Sequence, residues 1–334
     1  MKKSMFLLGM AAVALASCTN EEVMEVPESR IINFSTFLNN TTRATTDIES
    51  LQDGDYYVIG YYGESGTLNN PVFTNEVNTT EYYWKAPYTY QFASYSDGKS
   101  QLEDVTFTPN NTNPVLTISN YTVNDTKDLL GAISEQITTT QTTGNSAVSL
   151  SFKHLLSKVR FTFNTALGST YELKIEDLKF TAFKTGTVSY NKTTATWKGN
   201  APKAEYVYDD VINDLADEQY RDDNNTFTAS VEKFVMPQAV PENGDGSITV
   251  TFSATLKGDA VTDDSNGITK TFSATLTVPT DNAWKFNTIY NYTTILKASQ
   301  FNPDLDEDQQ ITFTPTVEKW DGPTDIEYTP QAQN

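Results

Sequence analysis

The sequence predicts an all-β protein made of two antiparallel β-sandwich domains in tandem. Apolar residues alternate with Thr, Ser and Asn in many short segments, and Gly, Asn, Asp and Pro separate these segments. Strand signals do not alternate regularly with helix signals, which argues against a doubly wound parallel sheet. The chain has 334 residues, 38% of them hydrophobic, which is enough material for two cores of ordinary size.

The predicted strands follow one another from residue 32 to residue 317. They are rich in β-branched and aromatic residues with a period of two, which suits a sheet with one buried face. In chain order they are the alternating set Ile32, Phe34, Thr36 and Leu38, then 56–62, 88–92, 115–118, 148–152, 159–163, 173–180, 248–256, 271–278, 290–296 and 311–317. Helix signals are weak, and we expect only one short helix at 127–132 and a helical turn within 210–220.

The composition excludes several classes of function. The formal net charge of −20 repels nucleic acid phosphates, so nucleic acid is not an expected partner. One cysteine, Cys18, and one histidine, His154, are too few for thiolate metal sites, disulfides or Ser-His-Asp catalysis. Because His154 has no second histidine near it, we interpret it as structural. We expect no catalytic residues, no cofactor and no bound metal.

Acidic loops are the remaining candidates for a metal or catalytic site. The segments 209–210, 222–223, 263–264 and 304–308 offer the oxygen ligands that calcium prefers. None has EF-hand spacing, since a loop that begins at Asp264 would have Thr275 in the place of the bidentate Glu, so we interpret them as solvated loops. A hydrolase with paired carboxylates needs only proximity in space and stays an alternative, although no pair is singled out.

The N-terminus has the features of a lipoprotein export signal. Two lysines precede the apolar run 5–15, which is too short to span a membrane. The run ends in Leu15-Ala16-Ser17-Cys18, which resembles the lipobox of bacterial lipoproteins, where the peptidase cuts before a cysteine that carries diacylglycerol. We therefore predict a signal peptide over 1–17, a lipid on Cys18 and a polar tether after it. An ordinary signal peptide with a chance cysteine is the alternative.

Several separated stretches together resemble the fimbrillin family of the Bacteroidetes, the structural and accessory pilins of type V pili. The stretches are the lipobox, the first predicted strand 31–38 with the basic loop 41–44, the block 152–159, the Pro-Gln strand end 234–238, the tryptophan and tyrosine motif 284–292, and the closing tryptophan in 317–320. Their order matches the family over nearly the whole chain. One departure is Asn287, where the family turn has glycine, but asparagine tolerates left-handed backbone conformations.

The resemblance implies export, cleavage and polymerisation. A trypsin-like protease with arginine specificity cuts such a lipoprotein after its first strand, the strand leaves, and a C-terminal strand of another subunit fills the groove. In this chain the cut is expected between Arg43 and Ala44, because Arg43 lies in a polar run after the strand. Arg30 precedes the strand, and cutting there would leave the strand in place.

The resemblance also implies a domain map and a transthyretin-like or Greek-key topology for both sandwiches. The map has a signal peptide over 1–17, a tether and removable first strand over 18–43, an N-terminal sandwich over 44–165 and a C-terminal sandwich with a possible donor tail over 166–334. The side chains expected to matter are Ile32, Phe34 and Leu38 on the removable strand, and Ile326 and Tyr328 on the candidate donor strand.

The predicted function is a structural or accessory subunit of a type V fimbria for cell adhesion. The lipidated precursor is expected in the outer membrane, and the cut subunit in the extracellular fimbrium. Its expected partners are other fimbrial subunits, the arginine-specific protease and, through the lipid, the outer membrane. An alternative is a surface lipoprotein that binds carbohydrate through exposed aromatics such as Tyr82, Tyr83 and Trp84, although such residues are also typical of a sandwich core.

Overall fold

The computed structural model describes residues 30–38, 56–64, 66–98, 100–124, 127–140, 147–165, 171–208, 227–258, 267–302 and 308–320. Strands dominate these residues, which confirms the all-β fold class. A short 3-10 helix, Ala298–Phe301, follows the eighteenth strand.

The strands are numbered in chain order. They are β1 Phe34–Leu38, β2 Tyr57–Glu64, β3 Thr67–Val77, β4 Thr89–Ser96, β5 Val105–Thr108, β6 Val115–Thr122, β7 Leu130–Ile133, β8 Ile137–Thr138, β9 Val148–His154, β10 Ser157–Thr165, β11 Tyr171–Ala182, β12 Thr185–Tyr190, β13 Ala195–Gly199, β14 Ala204–Val207, β15 Phe227–Val235, β16 Thr249–Gly258, β17 Ile268–Thr275, β18 Thr288–Leu296, β19 Asp308–Gln310 and β20 Thr314–Lys319.

These strands form four sheets. The first has the order β1-β9-β7-β4-β2-β3, with β8 also paired to β4. The second is β13-β12-β6-β5, the third is β15-β10-β18-β20, and the fourth is β14-β11-β16-β17-β19. Most pairs are antiparallel, but β1 with β9, β10 with β18 and β17 with β19 are parallel. Pairing is therefore antiparallel in most of the fold, with three parallel pairs for which no hairpin sets the strand direction.

The short helix expected at 127–132 is absent. Residues 127–129 have no regular structure, and β7 begins at Leu130. All four residues of β7 are buried, and the strand lies between β4 and β9. A short apolar run of this kind fits a strand buried on both faces as well as it fits a helix, and here the pairing partners decide.

Two hydrophobic cores lie on opposite faces of the first sheet. The larger core draws on all four sheets, for example through Ile59, Leu116, Phe161 and Phe252. The smaller core is built mainly from the first sheet. Neighbouring residues of β2 divide between the two cores, and every residue of β4 is buried. The first sheet is therefore covered on both sides.

Strand pairing crosses the predicted domain boundary between residues 165 and 166 in both directions. The strand β10 precedes this boundary and pairs with β15 and β18, which follow it. The strand β12 follows the boundary and pairs with β6, which precedes it. The tandem arrangement and the boundary itself stay predictions.

Candidate functional site

The first strand lies at the edge of the first sheet. It pairs in parallel with β9, from Phe34 opposite Val148 to Leu38 opposite Phe152. The backbone N–H of Val148 also donates to the carbonyl oxygen of Asn33 over 2.7 Å. Among the described residues β1 pairs with β9 alone, so one ladder of hydrogen bonds binds its backbone to the sheet.

The residues just before β1 bind the connection between β3 and β4. The N–H of Ile32 donates to the Tyr82 carbonyl over 2.8 Å, and the N–H of Trp84 donates to the Arg30 carbonyl over 2.9 Å. Tyr82 and Trp84 lie between β3, the strand at the opposite edge of the same sheet, and β4. The segment from Arg30 to the end of β1 therefore binds both β9 and the connection between β3 and β4, and Ile32 and Trp84 from these two segments belong to the smaller core.

Phe34 sits in a pocket made of aromatic rings. Its ring lies 5.4 Å from Phe73, 5.4 Å from Phe92 and 6.5 Å from Tyr56, measured between ring centroids, with an edge-to-face arrangement in each pair. Ile32, two residues earlier, is only 2% exposed. We call the surroundings of Phe34 the ring pocket; its three rings gain roughly 0.5–1.5 kcal/mol per well-oriented pair beyond the area they bury.

A cavity of about 350 Å³ adjoins β1 and is lined by 31–34, Tyr56 and 78–81. Burial raises the pKa of the Tyr56 hydroxyl, and a hydrogen bond with the Asn78 side chain partly offsets this. The Oδ1 atom of Asn78 is buried and has no hydrogen-bond partner among the described residues. The space beside the ring pocket is therefore partly polar and not completely filled by the first strand.

The closing tryptophan, Trp320, directly follows β20 and packs on three side chains. Its ring stacks on His154 with centroids 4.0 Å apart and on Phe234 at 5.5 Å. The Nζ of Lys158 lies 4.7 Å from the centroid of the Trp320 ring, at cation–π distance. Since His154 is the last residue of β9, the strand that binds β1, these contacts bring the start of the C-terminal tail next to one end of β9.

His154 is enclosed, in agreement with its predicted structural role. It is 1% exposed, its Nδ1 pairs with Asp128 Oδ2, and Trp320 covers its ring. Asp97 lies nearby in the same region, where burial raises the pKa of its carboxyl although the Tyr121 hydroxyl donates to it over 2.8 Å. His154 thus pairs with Asp128 and Tyr121 with Asp97, as buried polar groups in a core usually do, whereas Oδ1 of Asp128 is buried without a hydrogen-bond partner among the described residues.

Charged groups cover the outer face of the third sheet beside Trp320. Glu232 accepts hydrogen bonds from Lys158 at 2.8 Å and from Arg160 at 2.7 Å, and Arg160 also reaches Glu318 at 3.4 Å. Burial alone would raise the pKa of Glu232, but the bonds and charges of Lys158 and Arg160 outweigh it and lower the pKa. This network ties β10, β15 and β20 together next to the start of the tail.

The other predicted site residues fall partly outside the described residues. Cys18, Arg43, Ala44, Ile326 and Tyr328 all lie outside them, so lipidation, cleavage and strand donation stay predictions. The acidic segments that we interpret as solvated loops lie outside the described residues too, except for Asp308. Within the part of the chain that the structure describes, no group of three or more His, Cys, Asp or Glu residues is arranged to hold a metal ion.

The aromatics proposed for carbohydrate binding belong mostly to the core. Trp84 is 8% exposed and packs edge-to-face on Tyr90 at 4.8 Å. Tyr82 packs on Phe73 at 4.6 Å, and only Tyr83, at 40%, is exposed. The three residues therefore do not form a shared platform on which a sugar ring could stack.

A family model described as fimbrillin-like matches residues 32–320 of the chain. The chain belongs to the fimbrillin-like family. This match begins at Ile32, includes the whole of β1 and ends at Trp320. The first strand and the tryptophan at the start of the C-terminal tail therefore both lie within it. The predicted resemblance is confirmed.

Solved structures are similar to this fimbrillin-like chain over most of their length. A fimbrial protein from Bacteroides vulgatus has 16% identity and a TM-score of 0.52, with 87% of this chain and 99% of that chain covered. A Bacteroides uniformis protein assigned to cell adhesion has 15% identity and a TM-score of 0.43, covering 88% and 99%. The fimbrial anchor protein Mfa2 from Porphyromonas gingivalis has 11% identity and a TM-score of 0.34, covering 87% and 96%. The first similarity indicates a shared fold, and no curated protein sequence matches the chain.

The family motifs of this fimbrillin-like chain have clear structural roles. Trp284 is buried and donates from Nε1 to the Tyr292 hydroxyl over 2.9 Å. Asn287, which replaces the family glycine, has a φ of 55°, so the turn keeps its left-handed conformation as expected. Gln238 at the Pro-Gln strand end accepts from the N–H of Phe183 over 2.9 Å and so holds the turn between β11 and β12.

The sequence contains one repeated motif that pattern reading missed. Trp84 and Lys85 precede Tyr90 with the same spacing with which Trp284 and Lys285 precede Tyr290. In the first copy the Lys85 N–H donates to the Tyr90 hydroxyl over 2.7 Å, and in the second the Lys285 N–H donates to the Tyr290 hydroxyl over 2.8 Å. The sequence feature that identifies this repeat is a Trp-Lys pair with a tyrosine five residues after the lysine.

No helix among the described residues is both long and apolar enough to cross a lipid bilayer.

Proposed function

We propose that this chain is a subunit of a type V fimbria for cell adhesion, exported as a lipoprotein on Cys18, cut after Arg43 and polymerised by strand exchange. One observation carries the proposal: the first strand lies at a sheet edge, and yet Ile32 and Phe34 fill the core that the sheet encloses. The strand can be removed because it lies at an edge, and its loss leaves a groove because its side chains fill the core. Strand exchange requires both properties.

Loss of the first strand would expose a groove that a similar strand can refill. Burial of a side chain the size of Ile32 or Phe34 contributes roughly 1.5–3 kcal/mol each. Removal would also leave the edge of β9 without a partner, and unpaired strand edges recruit other strands. The free energy lost on removal is thus available to hold the strand of another subunit.

The proposed partners are other fimbrial subunits, the arginine-specific protease and, for the lipidated precursor, the outer membrane. After cleavage the subunit would reside in the extracellular fimbrium. We propose no catalytic role, because the family is fimbrillin-like and the solved structures similar to the chain are fimbrial or assigned to adhesion.

Limited digestion tests the cleavage step. Recombinant 19–334 is treated with an arginine-specific protease, and intact mass and a non-boiled gel are read afterwards. We expect a fragment that begins at Ala44 together with a ladder of multimers. The Arg43→Ala variant should give no fragment that begins at Ala44 and should stay monomeric, whereas the matched Arg30→Ala variant should be cut after Arg43 and polymerise normally. A cut chain that stays monomeric would contradict strand exchange.

A membrane partition assay tests the lipoprotein step. We expect the precursor to enter the detergent phase and the Cys18→Ala variant to leave it, because a lipid chain provides the anchor and the chain offers no second cysteine to carry it. Unchanged partition of Cys18→Ala would overturn lipidation without affecting the proposed strand exchange.

A further inference from the structure

The strand β13 lies at an edge of the second sheet, with an apolar cleft on its free side. We infer that this edge binds an extended segment of a partner polypeptide, which adds to the sheet as a further strand. The segment places a large apolar side chain in the cleft and carries acidic residues on both sides of it. The site lies outside the first strand and its ring pocket, so this inference is independent of the proposed strand exchange.

Hydrogen bonds at the two ends of the β12–β13 hairpin fix the pairing of these strands. At the turn, the N–H of Asn191 donates to the Thr194 carbonyl over 3.0 Å. At the open end, the N–H of Asn200 donates to the Thr185 carbonyl over 2.7 Å. Opposed residues of antiparallel strands alternate between hydrogen-bonded and non-bonded pairs. With the regular register of this hairpin, the even-numbered residues of β13 therefore bond to β12.

The odd-numbered residues of β13 turn their backbone groups to the free side of the strand. The N–H and C=O groups of Ala195 and Trp197 point away from β12, and among the described residues no strand pairs with this side. Unpaired groups of this kind are a template to which an extended segment can add. The edge of β13 can therefore recognise the backbone of a polypeptide.

The cleft lies where the side chains of an added strand would reach it. It has a volume of about 370 Å³, and its lining includes residues 194–197 but no residue of β12, so it adjoins the free side of β13. The opposite wall consists of residues 237–239 and 283–286. A volume in this range with mainly apolar walls is typical of a binding pocket.

Aromatic rings supply much of the apolar surface of the cleft. Trp197 and Phe286 are both partly buried, and Trp284 is buried behind them. The indole N–H of Trp197 already donates to the Leu155 carbonyl over 2.8 Å, and that of Trp284 donates to the Tyr292 hydroxyl. Because neither donor is available to a ligand, the cleft suits an apolar side chain such as phenylalanine.

The charge around β13 selects an acidic partner. Residues 183–204 contain four lysines and no aspartate or glutamate, although the whole chain has a formal net charge of −20. Lys198 on β13 is exposed, whereas Lys192 pairs with Glu135 at 2.7 Å. Among the described residues that line the cleft, the charged one is Lys285, which pairs with Asp281. Pairing β13 with the β13 of a second copy would bring two lysine-rich hairpins together, which disfavours that occupant.

The alternation of β13 gives the sequence pattern of the partner. Ala195 and Trp197 are partly buried, whereas Thr196 and Lys198 are exposed on the other face of the strand. A strand added beside β13 alternates in the same way, so its apolar residue faces the cleft while the residues before and after it lie on the face of Lys198. The partner segment therefore has a large apolar residue between two acidic ones.

Fluorescence anisotropy with labelled synthetic peptides tests this inference. The probe is the peptide Thr-Val-Glu-Phe-Glu-Val-Thr, added to the uncut chain 19–334. We expect saturable binding that weakens by about tenfold when alanine replaces the phenylalanine or lysines replace both glutamates. A peptide with N-methyl groups on the phenylalanine and on the glutamate after it lacks central donors on both edges and should not bind. Equal binding of the N-methylated peptide would overturn strand addition, and failure of the probe to bind would overturn the site.

Charge reversal on the chain tests the same contact from the other side. Lys198→Glu should weaken binding of the acidic probe by about fivefold and strengthen binding of the lysine peptide. The matched control is Lys257→Glu, which makes the same change at an exposed position of β16 and should leave both affinities unchanged. Equal effects of the two variants would show attraction to overall charge and would overturn the site at β13.

A proline at the edge tests the backbone contact. Ala195→Pro removes an N–H from the free side of β13 and leaves the bonds to β12 in place, so it should abolish probe binding with little change in the urea midpoint. If this variant fails to fold, the Lys198→Glu comparison still decides. Sedimentation of the chain without peptide tests the other occupant. A dimer that Ala195→Pro dissociates would identify a second copy of β13 as the occupant and overturn the inference.

Discussion

Trp320 is the residue at which the described fold ends, and its contacts explain why a tryptophan stands there. The ring is large enough to reach His154, Phe234 and Lys158 at once, which belong to β9, β15 and β10. A smaller side chain in this place would lose all three contacts, and β20 would then be held by its ladder to β18, the Arg160–Glu318 pair and the packing of Val317. The stack therefore fixes the position from which the C-terminal tail departs.

Replacing Trp320 with alanine should destabilise the chain. We expect the free energy of unfolding to fall by about 2 kcal/mol, less than for a fully buried tryptophan because the ring is only partly buried. Urea unfolding of the uncut mature chain measures this. The Trp320→Phe variant, which keeps a ring for stacking, should lose less than half as much, and equal losses in the two variants would contradict a stacking role.

Residue types predict such contacts only when the partner is close in sequence. The turn at Asn287 was predictable because a positive φ is a local property that asparagine tolerates. The stack of Trp320 on His154 was not predictable, because these two residues lie 166 positions apart in the sequence and only the topology brings them together. Composition indicated that His154 is structural, but its pairing with Asp128 depends on how β7 and β9 lie side by side.

At the level of elements, β7 shows why a buried strand and a short helix can have the same sequence pattern. The segment contains Leu129, Leu130, Gly131, Ala132 and Ile133, all apolar or small, without the alternation that marks a half-buried strand. Its neighbours β4 and β9 flank it within the sheet, the two cores cover its two faces, and a Cβ added at Gly131 would lie 2.8 Å from Leu155. The close approach of the Leu155 side chain explains why residue 131 is a glycine, but this contact becomes visible only in the fold.

The first strand is the element on which the proposed function depends, and Phe34 is its main contact with the core. Phe34→Ala should lower the free energy of unfolding of the uncut chain by about 3 kcal/mol, because it empties the ring pocket. The matched variant Thr36→Ala changes a partly buried polar residue of the same strand and should cost well under 1 kcal/mol. Urea unfolding compares the two, and similar losses would show that the pocket does not hold the strand.

At the scale of the whole molecule, the sequence predicts the class of fold and leaves the connections open. Alternation identified most strands, because it depends on which face of each strand is buried. It could not reveal that β1 runs parallel to β9, or that β12 and β13 return to the sheet of β6 after β10 and β11 have joined the third and fourth sheets. Such choices depend on contacts between residues that are far apart in the chain.

Buried tyrosines should make the folded chain sensitive to alkaline pH. Burial raises the pKa of Tyr95 and of Tyr290 to about 12, and it also raises the pKa values of Tyr121, Tyr190 and Tyr292. In the unfolded chain these hydroxyls have a pKa near 10. Below pH 10 both states keep their protons, so the contribution of these groups to stability is complete.

Between pH 10 and 12 the unfolded chain releases protons that the folded chain still holds, so the free energy of unfolding must fall as the pH rises. We expect the urea midpoint of the uncut chain to be level from pH 8 to 9.5 and to drop steadily above pH 10. The urea midpoint of the Tyr290→Phe variant should fall less steeply above pH 10, since this variant lacks one of the hydroxyls that the folded chain keeps protonated in this range. Tyr83→Phe, at an exposed position, is the control and should keep the slope of the original chain. A midpoint that stays level through pH 11.5 would mean that these hydroxyls ionise as readily in the folded chain as in the unfolded one.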